Sequence, residues 1–256
     1  MASSLSVMVV VRNEEKNIKG CLEAVHWADE LIVVDTGSTD RTVEIAKTFT
    51  HNVFAEPWEG FGAAKSFALS RCTKEWVLSV DADERVTTEL RQEIQHVLGN
   101  VHDSTSGYDV PIKACFLGRW ILHCGWYPAR KIRLFRRESS SFVTSDKIHE
   151  GVQLRGNVQE LTNDLLHYTD PNLFHYFEKL NQYTSLAAEE LVQRRMKFQL
   201  AQLLVRPPWT FVKMYFLQAG FRDGIQGFIL CVLSACYVFT KYAKVWEQTS
   251  KGELCN

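Results

Sequence analysis

Asp81 and Asp83 stand two residues apart at the end of the apolar run Trp76-Val77-Leu78-Ser79-Val80. Carboxylates so spaced, just past a strand, can present oxygens to one hard divalent cation, Mg2+ or Mn2+, that keeps waters and completes its shell with substrate phosphates. Two other readings compete. In a D-x-D-x-[T/V] motif the first aspartate is a nucleophile, but the fifth position here is Arg85. The acids can also simply open the next helix, since Asp caps orphan N–H groups. Similar polar groups follow two more apolar runs: Asn13-Glu14-Glu15 after 5–11, and Asp35-Thr36-Gly37-Ser38-Thr39-Asp40 after 30–35. Their convergence points to a crevice for a nucleotide diphosphate. The sequence has neither G-x-G-x-x-G nor G-x-x-x-x-G-K-[ST], so dinucleotide and P-loop sites are disfavoured.

The elements that must position these groups alternate strand and helix. Residues 5–11 and 30–35 are rich in β-branched residues, as in strands buried on both faces of a parallel sheet. Between them Ile18, Cys21, Leu22 and Val25 recur at helical spacing, with Asn13 as the expected cap. Ser38 is expected to cap a second helix. A strand near Val53-Phe54, a helix over about 62–72, a strand at 75–80 and a helix at 87–98 continue the pattern. The fold class is α/β, with a Rossmann-like, mostly parallel central sheet and strand ends facing one crevice. Residues 1–170 form the catalytic domain, 1–100 its nucleotide half and 101–170 its acceptor half. Residues 171–256 form a helical C-terminal region.

The chain has 256 residues and a formal charge of −1, which gives no reason to expect nucleic acid as a partner. Its seven cysteines lack CxxC or zinc spacing, so reduced thiols in a cytoplasmic protein are expected. The N-terminus reads as a strand, not a signal peptide. Beyond residue 190, Lys and Arg outnumber the acids Asp223, Glu247 and Glu253, and aromatics such as Trp209, Phe216 and Trp246 lie among them. The most apolar stretch, 227–239, is shorter than the ~20 residues that span a bilayer. Helices lying on a membrane surface are expected instead, against the alternative of a hairpin packed on the protein's own core.

The segments "VVVRNEEKNI", "LIVVDTGSTDRT" and "VLSVDADE", in that order and spacing, resemble family 2 inverting glycosyltransferases with the GT-A fold. Further on, "GWYPARKIRLFRR", "KIHEGV", "LLHYTD" and "GFRDGIQGF…YVFTKYAKVWE" resemble the lipopolysaccharide-core branch, the WaaE/KdtX-type β-1,4-glucosyltransferases. The resemblance implies a metal-dependent hexosyltransferase using a nucleotide-sugar donor, UDP-glucose first, and a lipopolysaccharide core acceptor. It would work on the cytoplasmic face of the inner membrane, held there by its C-terminal helices.

Carried onto this chain, the resemblance implies that Val10, Arg12, Asn13, Glu15, Asp35 and Lys65 line the nucleotide pocket. Ser66 departs from an asparagine that commonly follows that lysine. Asp81 and Asp83 match the D-x-D motif, Asp83 being the favoured metal contact and Asp81 touching metal or ribose. His167 is a candidate third ligand, or a structural histidine. Inverting transfer needs a carboxylate to take the acceptor hydroxyl's proton. Glu150 is the candidate base, Asp146 the runner-up, and His149 a group to orient base or acceptor. Arg130, Arg133 and Arg136 suit phosphates or an anionic acceptor, although Arg133 and Arg136 have opposite strand parity. Trp126 can stack on a sugar ring or belong to the core.

Overall fold

A computed structural model of the protein describes residues 3–100, 104–142, 151–170, 172–196 and 198–250. The N-terminal half runs β1 (Leu5–Val11), α1 (Ile18–Val25), β2 (Glu30–Asp35), α2 (Thr42–Ala46), β3 (Val53–Ala55), α3 (Phe61–Arg71) and β4 (Trp76–Ser79). It continues through β5 (Glu84–Val86), α4 (Thr88–Gly99), β6 (Thr105–Phe116), β7 (Arg119–Trp120) and β8 (Ala129–Arg136). Short strands follow, β9 (Ser140–Phe142), β10 (Val152–Leu154), β11 (Asn157–Glu160) and β12 (Leu165–Asp170). The chain then becomes helical: α5 (Leu173–Gln193), α6 (Leu200–Leu204), α7 (Arg206–Val212) and α8 (Gly224–Ser250).

The main sheet has the order β3-β2-β1-β4-β8-β6-β12-β5. The strands β3, β2, β1 and β4 are parallel, and the sheet turns antiparallel where β8 pairs with β4 and β6. The parallel part reads as unbroken apolar sequence because both of its faces are covered. From β1, Val7, Val9 and Val11 pack with Ile18 and Leu22 of α1 and with Leu90 and Ile94 of α4. Met8, with opposite parity, packs with Ile32 and Val34 against Ala68 of α3. All parallel strands end at one edge, so the loops after β1, β2 and β4 are neighbours.

The chain divides into two compact units, Met1–Lys113 with Ala129–His167, and Ala114–Pro128 with Tyr168–Asn256. The second has its own apolar cluster of Phe116, Ile121, Cys124, Met214, Leu230 and Cys231. Trp126 packs edge-on against Phe116, with ring centroids 6.1 Å apart. The cysteines among the described residues are free thiols. The apolar stretch 227–239 is only part of α8, a helix of 27 residues. An 18-residue window within Gly220–Ser250 has mean hydropathy 1.5, long and apolar enough to cross a membrane by those two measures alone.

Candidate active site

The turn after β4 is built to hold its carboxylates apart. Glu84 N–H donates to the Asp81 carbonyl at 2.9 Å, closing a four-residue turn, while Asp81 N–H donates to Glu84 Oε2 at 2.9 Å. Ala82 is buried in the core, while Asp81 and Asp83 on either side of it are each partly exposed. The following helix starts elsewhere: Thr87 Oγ1 caps α4 by accepting the Leu90 N–H at 3.1 Å. The acids of the turn therefore do not serve as a helix cap. Arg85, the residue that breaks the nucleophile motif, braces the turn by donating to the Ala82, Glu84 and Asn17 carbonyls. Gly20 leaves room for this side chain, since a Cβ there would lie 2.7 Å from Arg85 Nε and the guanidinium would have to shift.

Two cations neutralise Asp81 and Glu84. Lys65 Nζ of α3 lies 3.2 Å from Asp81 Oδ1, and Arg133 Nη2 of β8 lies 2.6 Å from Asp81 Oδ2. The same Arg133 nitrogen donates to Glu84, whose side chain is wholly buried. Burial alone would favour the neutral acid, but Arg133 and then Lys65 outweigh it and hold the Asp81 carboxyl well below the ordinary carboxylate range. For Glu84 burial wins over Arg133, and the pKa is raised. Both oxygens of Asp81 are thus engaged within the protein.

Asp83 has a different partner. Antiparallel pairing of β12 with β5 sets His167 opposite Glu84, and His167 Nε2 comes within 3.1 Å of Asp83 Oδ2. Burial disfavours the imidazolium, but the Asp83 bond outweighs it and raises the His167 pKa. One carboxylate oxygen and one imidazole nitrogen, both partly exposed, fit a divalent cation that takes its other ligands from water and a diphosphate. Among the described residues no cluster of three or more His, Cys, Asp or Glu side chains completes a full protein shell.

The loops after β1 and β2 meet, but largely by bonding each other. Asn13 N–H donates to Ser38 Oγ at 2.9 Å, and Asn13 Oδ1 accepts the Thr39 N–H at 2.7 Å. Glu14 N–H donates to Thr42 Oγ1 and Glu15 N–H to Asp40 Oδ2. Buried Asp35 accepts the N–H groups of Gly37 and Ser38. Neither Asn13 nor Ser38 caps a helix as expected: α1 begins at Ile18 and α2 at Thr42, without side-chain cap bonds. Local spacing favoured capping, whereas the contact between the two loops supplies partners far apart in sequence. Asn13 has φ 55°, a backbone region that Asn tolerates better than most residues. Asn13→Ala should lower unfolding free energy by about 1–2 kcal/mol in urea titration, from one lost side-chain acceptor and the left-handed backbone. Asn13→Gly should lose less.

The remaining candidates are placed as follows. Val10, at the end of β1, is half-buried, and Arg12 is exposed. The basic run of β8 does not converge on one place. Pairing of Leu78 with Leu134 and Trp76 with Arg136 sets Arg133 at the carboxyl end of β4 and Arg136 at its start. Arg136 donates to Glu75 and to the Thr105 carbonyl, and Arg130 to Asp109 and the Leu161 carbonyl. Arg130, Arg133 and Arg136, candidates for phosphates or an anionic acceptor, are thus each engaged with different carboxylates along the strand. Asp146, His149 and Glu150 lie outside the described residues. Sequence reasoning missed Glu84 and the bracing role of Arg85. An acid immediately after D-x-D, with a cation of inward parity on another strand, is the signal that was available.

Comparison with known proteins bears directly on this turn. The family model described as glycosyl transferase family 2 matches residues 6–138, which include all but the first residue of β1, the D-x-D turn and Arg133. The chain is 30% identical over 250 residues to the lipopolysaccharide core biosynthesis glycosyltransferase LpsC of Rhizobium meliloti, covering 95% of this chain and 92% of that protein. It is 32% identical over 259 residues to an uncharacterized glycosyltransferase of Rickettsia typhi, RT0209, covering 97% and 88%. Among solved structures, a mannosyltransferase of Pyrobaculum calidifontis in complex with GDP-Man and Mn2+ superposes with TM-score 0.59 at 14% identity, covering 97% of this chain and 88% of that one. That likeness is one of fold, the GT-A arrangement of a mixed α/β sheet. With the parallel strands, the D-x-D turn and more than half of the chain matched by the family profile, the protein belongs to glycosyl transferase family 2.

Proposed function

We propose that this glycosyltransferase inverts the anomeric centre as it moves glucose from UDP-glucose to the inner-core heptose of a lipopolysaccharide precursor, on the cytoplasmic face of the membrane that carries it. The observation carrying this reading is the Asp83–His167 pair beside a cation-clamped Asp81, in a chain similar along 95% of its length to a lipopolysaccharide core transferase. Transfer to a polyprenyl phosphate or another glycan is the second reading, since it needs the same donor side.

In this reading Asp83 and His167 would hold a divalent metal, Mg2+ or Mn2+, which would supply positive charge to the departing diphosphate. Lys65 and Arg133 keep Asp81 ionised and fixed, so that it can receive the ribose hydroxyls of the donor while Asp83 stays free for the cation. Val10, Arg12, Asn13, Glu15 and Asp35 border the base and ribose. The acceptor oxygen attacks the anomeric carbon opposite the diphosphate, the bond from that carbon to the diphosphate oxygen breaks, and Glu150 takes the hydroxyl proton. Asp146 is the alternative base, with His149 orienting the acceptor.

A screen of UDP-, GDP- and ADP-sugars with a truncated core acceptor tests the reading. The expected result is acceptor-dependent release of UDP from UDP-glucose. Pyrophosphate release would assign the chain to nucleotidyl transfer instead, and UDP binding without turnover would make it a binding protein. Glu150→Gln should lower kcat by roughly 10²–10⁴-fold while leaving UDP affinity in place. Full activity in that variant removes Glu150 as the base.

A further inference from the structure

One aromatic of the first unit has no place in its core. Among the described residues of that unit the exposed large apolar side chains are Val158 and Trp58, and Trp58 has 41% of its surface open. A single exposed ring is ordinary on a protein surface, so its position has to carry the argument. Trp58 stands in the segment Glu56-Pro57-Trp58-Glu59-Gly60 between β3 and α3. Because β3 pairs parallel with β2, and β2 with β1, this segment leaves the sheet at the same edge as the loops after β1, β2 and β4. Ligands of open α/β sheets bind outside that edge.

Both ends of the segment are tied to residues of the site. Glu56 N–H donates to the Asp35 carbonyl at 2.9 Å, which holds the start of the segment beside the end of β2. At the other end Gly60, with φ 111°, turns the chain into α3 through a backbone region that favours glycine. Lys65, in the second turn of α3, reaches Asp81 at 3.2 Å. The Trp58 ring meets Phe61, the first residue of α3, edge to face, with centroids 4.7 Å apart and planes at 89°. This contact holds the indole but leaves much of it open. It is not the apolar staple that closes helix starts, which would join the residue before the cap to the fourth helical residue, here Glu59 and Ala64.

Charge decides which part of a nucleotide this segment meets. Glu56 and Glu59 flank Trp58 and would repel a diphosphate, whereas the D-x-D turn after β4 suits one. From that turn the sheet runs β4, β1, β2, β3, three strand spacings of about 4.8 Å each. With the phosphates at β4 and the ribose near Asp35 of β2, the uncharged base falls toward β3. We propose that Trp58 stacks on the base of the donor nucleotide. A π face serves any base, so Trp58 supplies affinity for the nucleoside diphosphate, and hydrogen-bonding groups elsewhere choose among bases. This rests on the reading of the strand edge as the pocket of a nucleotide-sugar donor.

Titration of the full chain with UDP, GDP, ADP and their monophosphates, read by tryptophan fluorescence and by calorimetry, tests the proposal. The nucleotide that binds should quench the emission of the wild-type protein. Trp58→Leu should lose most of that quenching and bind roughly 10–100-fold more weakly, the range of one base–aromatic stack, at an unchanged melting temperature. Trp58→Phe should recover most of the affinity without the quenching. Pyrophosphate with Mn2+, which has no base, should bind equally to all three proteins. In turnover Trp58→Leu should raise the donor KM and leave kcat near that of the wild type. Equal nucleotide affinity in the wild type and Trp58→Leu overturns the stacking and leaves the transferase reading intact. Pyrophosphate binding weakened as much as nucleotide binding overturns it as well, because Trp58 would then only support the loop. If the wild-type chain binds none of the three diphosphates, the donor reading fails and the stacking fails with it.

Discussion

Asp83→Asn is expected to lower kcat by roughly two to four orders of magnitude, with little change in melting temperature. The size follows from the several kcal/mol of charge stabilisation that a bound cation supplies to a departing diphosphate. The fold should tolerate the change because Asn keeps the side-chain shape and can still bond His167, 3.1 Å away, and because Asp83 bonds no buried cation. The variant is best checked in two steps, by steady-state UDP release and by calorimetric titration of Mn2+ in the presence of UDP. Loss of Mn2+ binding together with turnover supports Asp83 as the metal contact. Unchanged Mn2+ affinity would move the metal elsewhere. His167→Ala should weaken Mn2+ binding less than Asp83→Asn, since one carboxylate and the diphosphate remain.

Arg133→Met is expected to destabilise the fold by about 3–5 kcal/mol, the range found when one partner of a buried ion pair is removed. Most of that effect belongs to Glu84, which is wholly buried and shares Arg133 with Asp81. Asp81 is about one-third exposed and keeps Lys65, so it contributes less. The double variant Arg133→Met/Glu84→Leu should recover much of the loss, because both charges then leave the interior. Urea unfolding of the two single variants and the double variant measures this coupling directly. If Arg133→Met alone unfolds at the wild-type midpoint, the Glu84–Arg133 pair is not what secures the turn. Arg133→Lys should fall between, since the ammonium keeps the charge but loses the planar fork that can serve both carboxylates at once.

Much of the first unit was legible because its physical causes are local. The β-branched runs 5–11, 30–35 and 76–80 can be buried on both faces only as strands covered by helices, and the intervening apolar spacing puts Ile18, Leu22 and Val25 on one helical face. The same locality explains the errors. Asn13 and Ser38 have the residue types of helix caps, but in the fold each finds a better partner in the other's loop, some 25 residues away. The bounds of the last helix were not local either, since helical hydrogen bonding continues from the apolar stretch 227–239 through its polar flank to Ser250.

The sequence by itself determined the α/β class, the parallel strand edge, the D-x-D turn and the cationic, aromatic character of the C-terminal third, because these follow from period, composition and spacing along the chain. Only the tertiary structure decided which cation serves which acid. Antiparallel pairing of β8 with β4 brings Arg133, and not Arg130 or Arg136, to Asp81 and Glu84, and pairing of β12 with β5 brings His167 to Asp83. Register between strands 50 to 80 residues apart has no local signature. It is set by the packing of both sheet faces at once, and a shift of one residue would turn every one of these side chains to the opposite face.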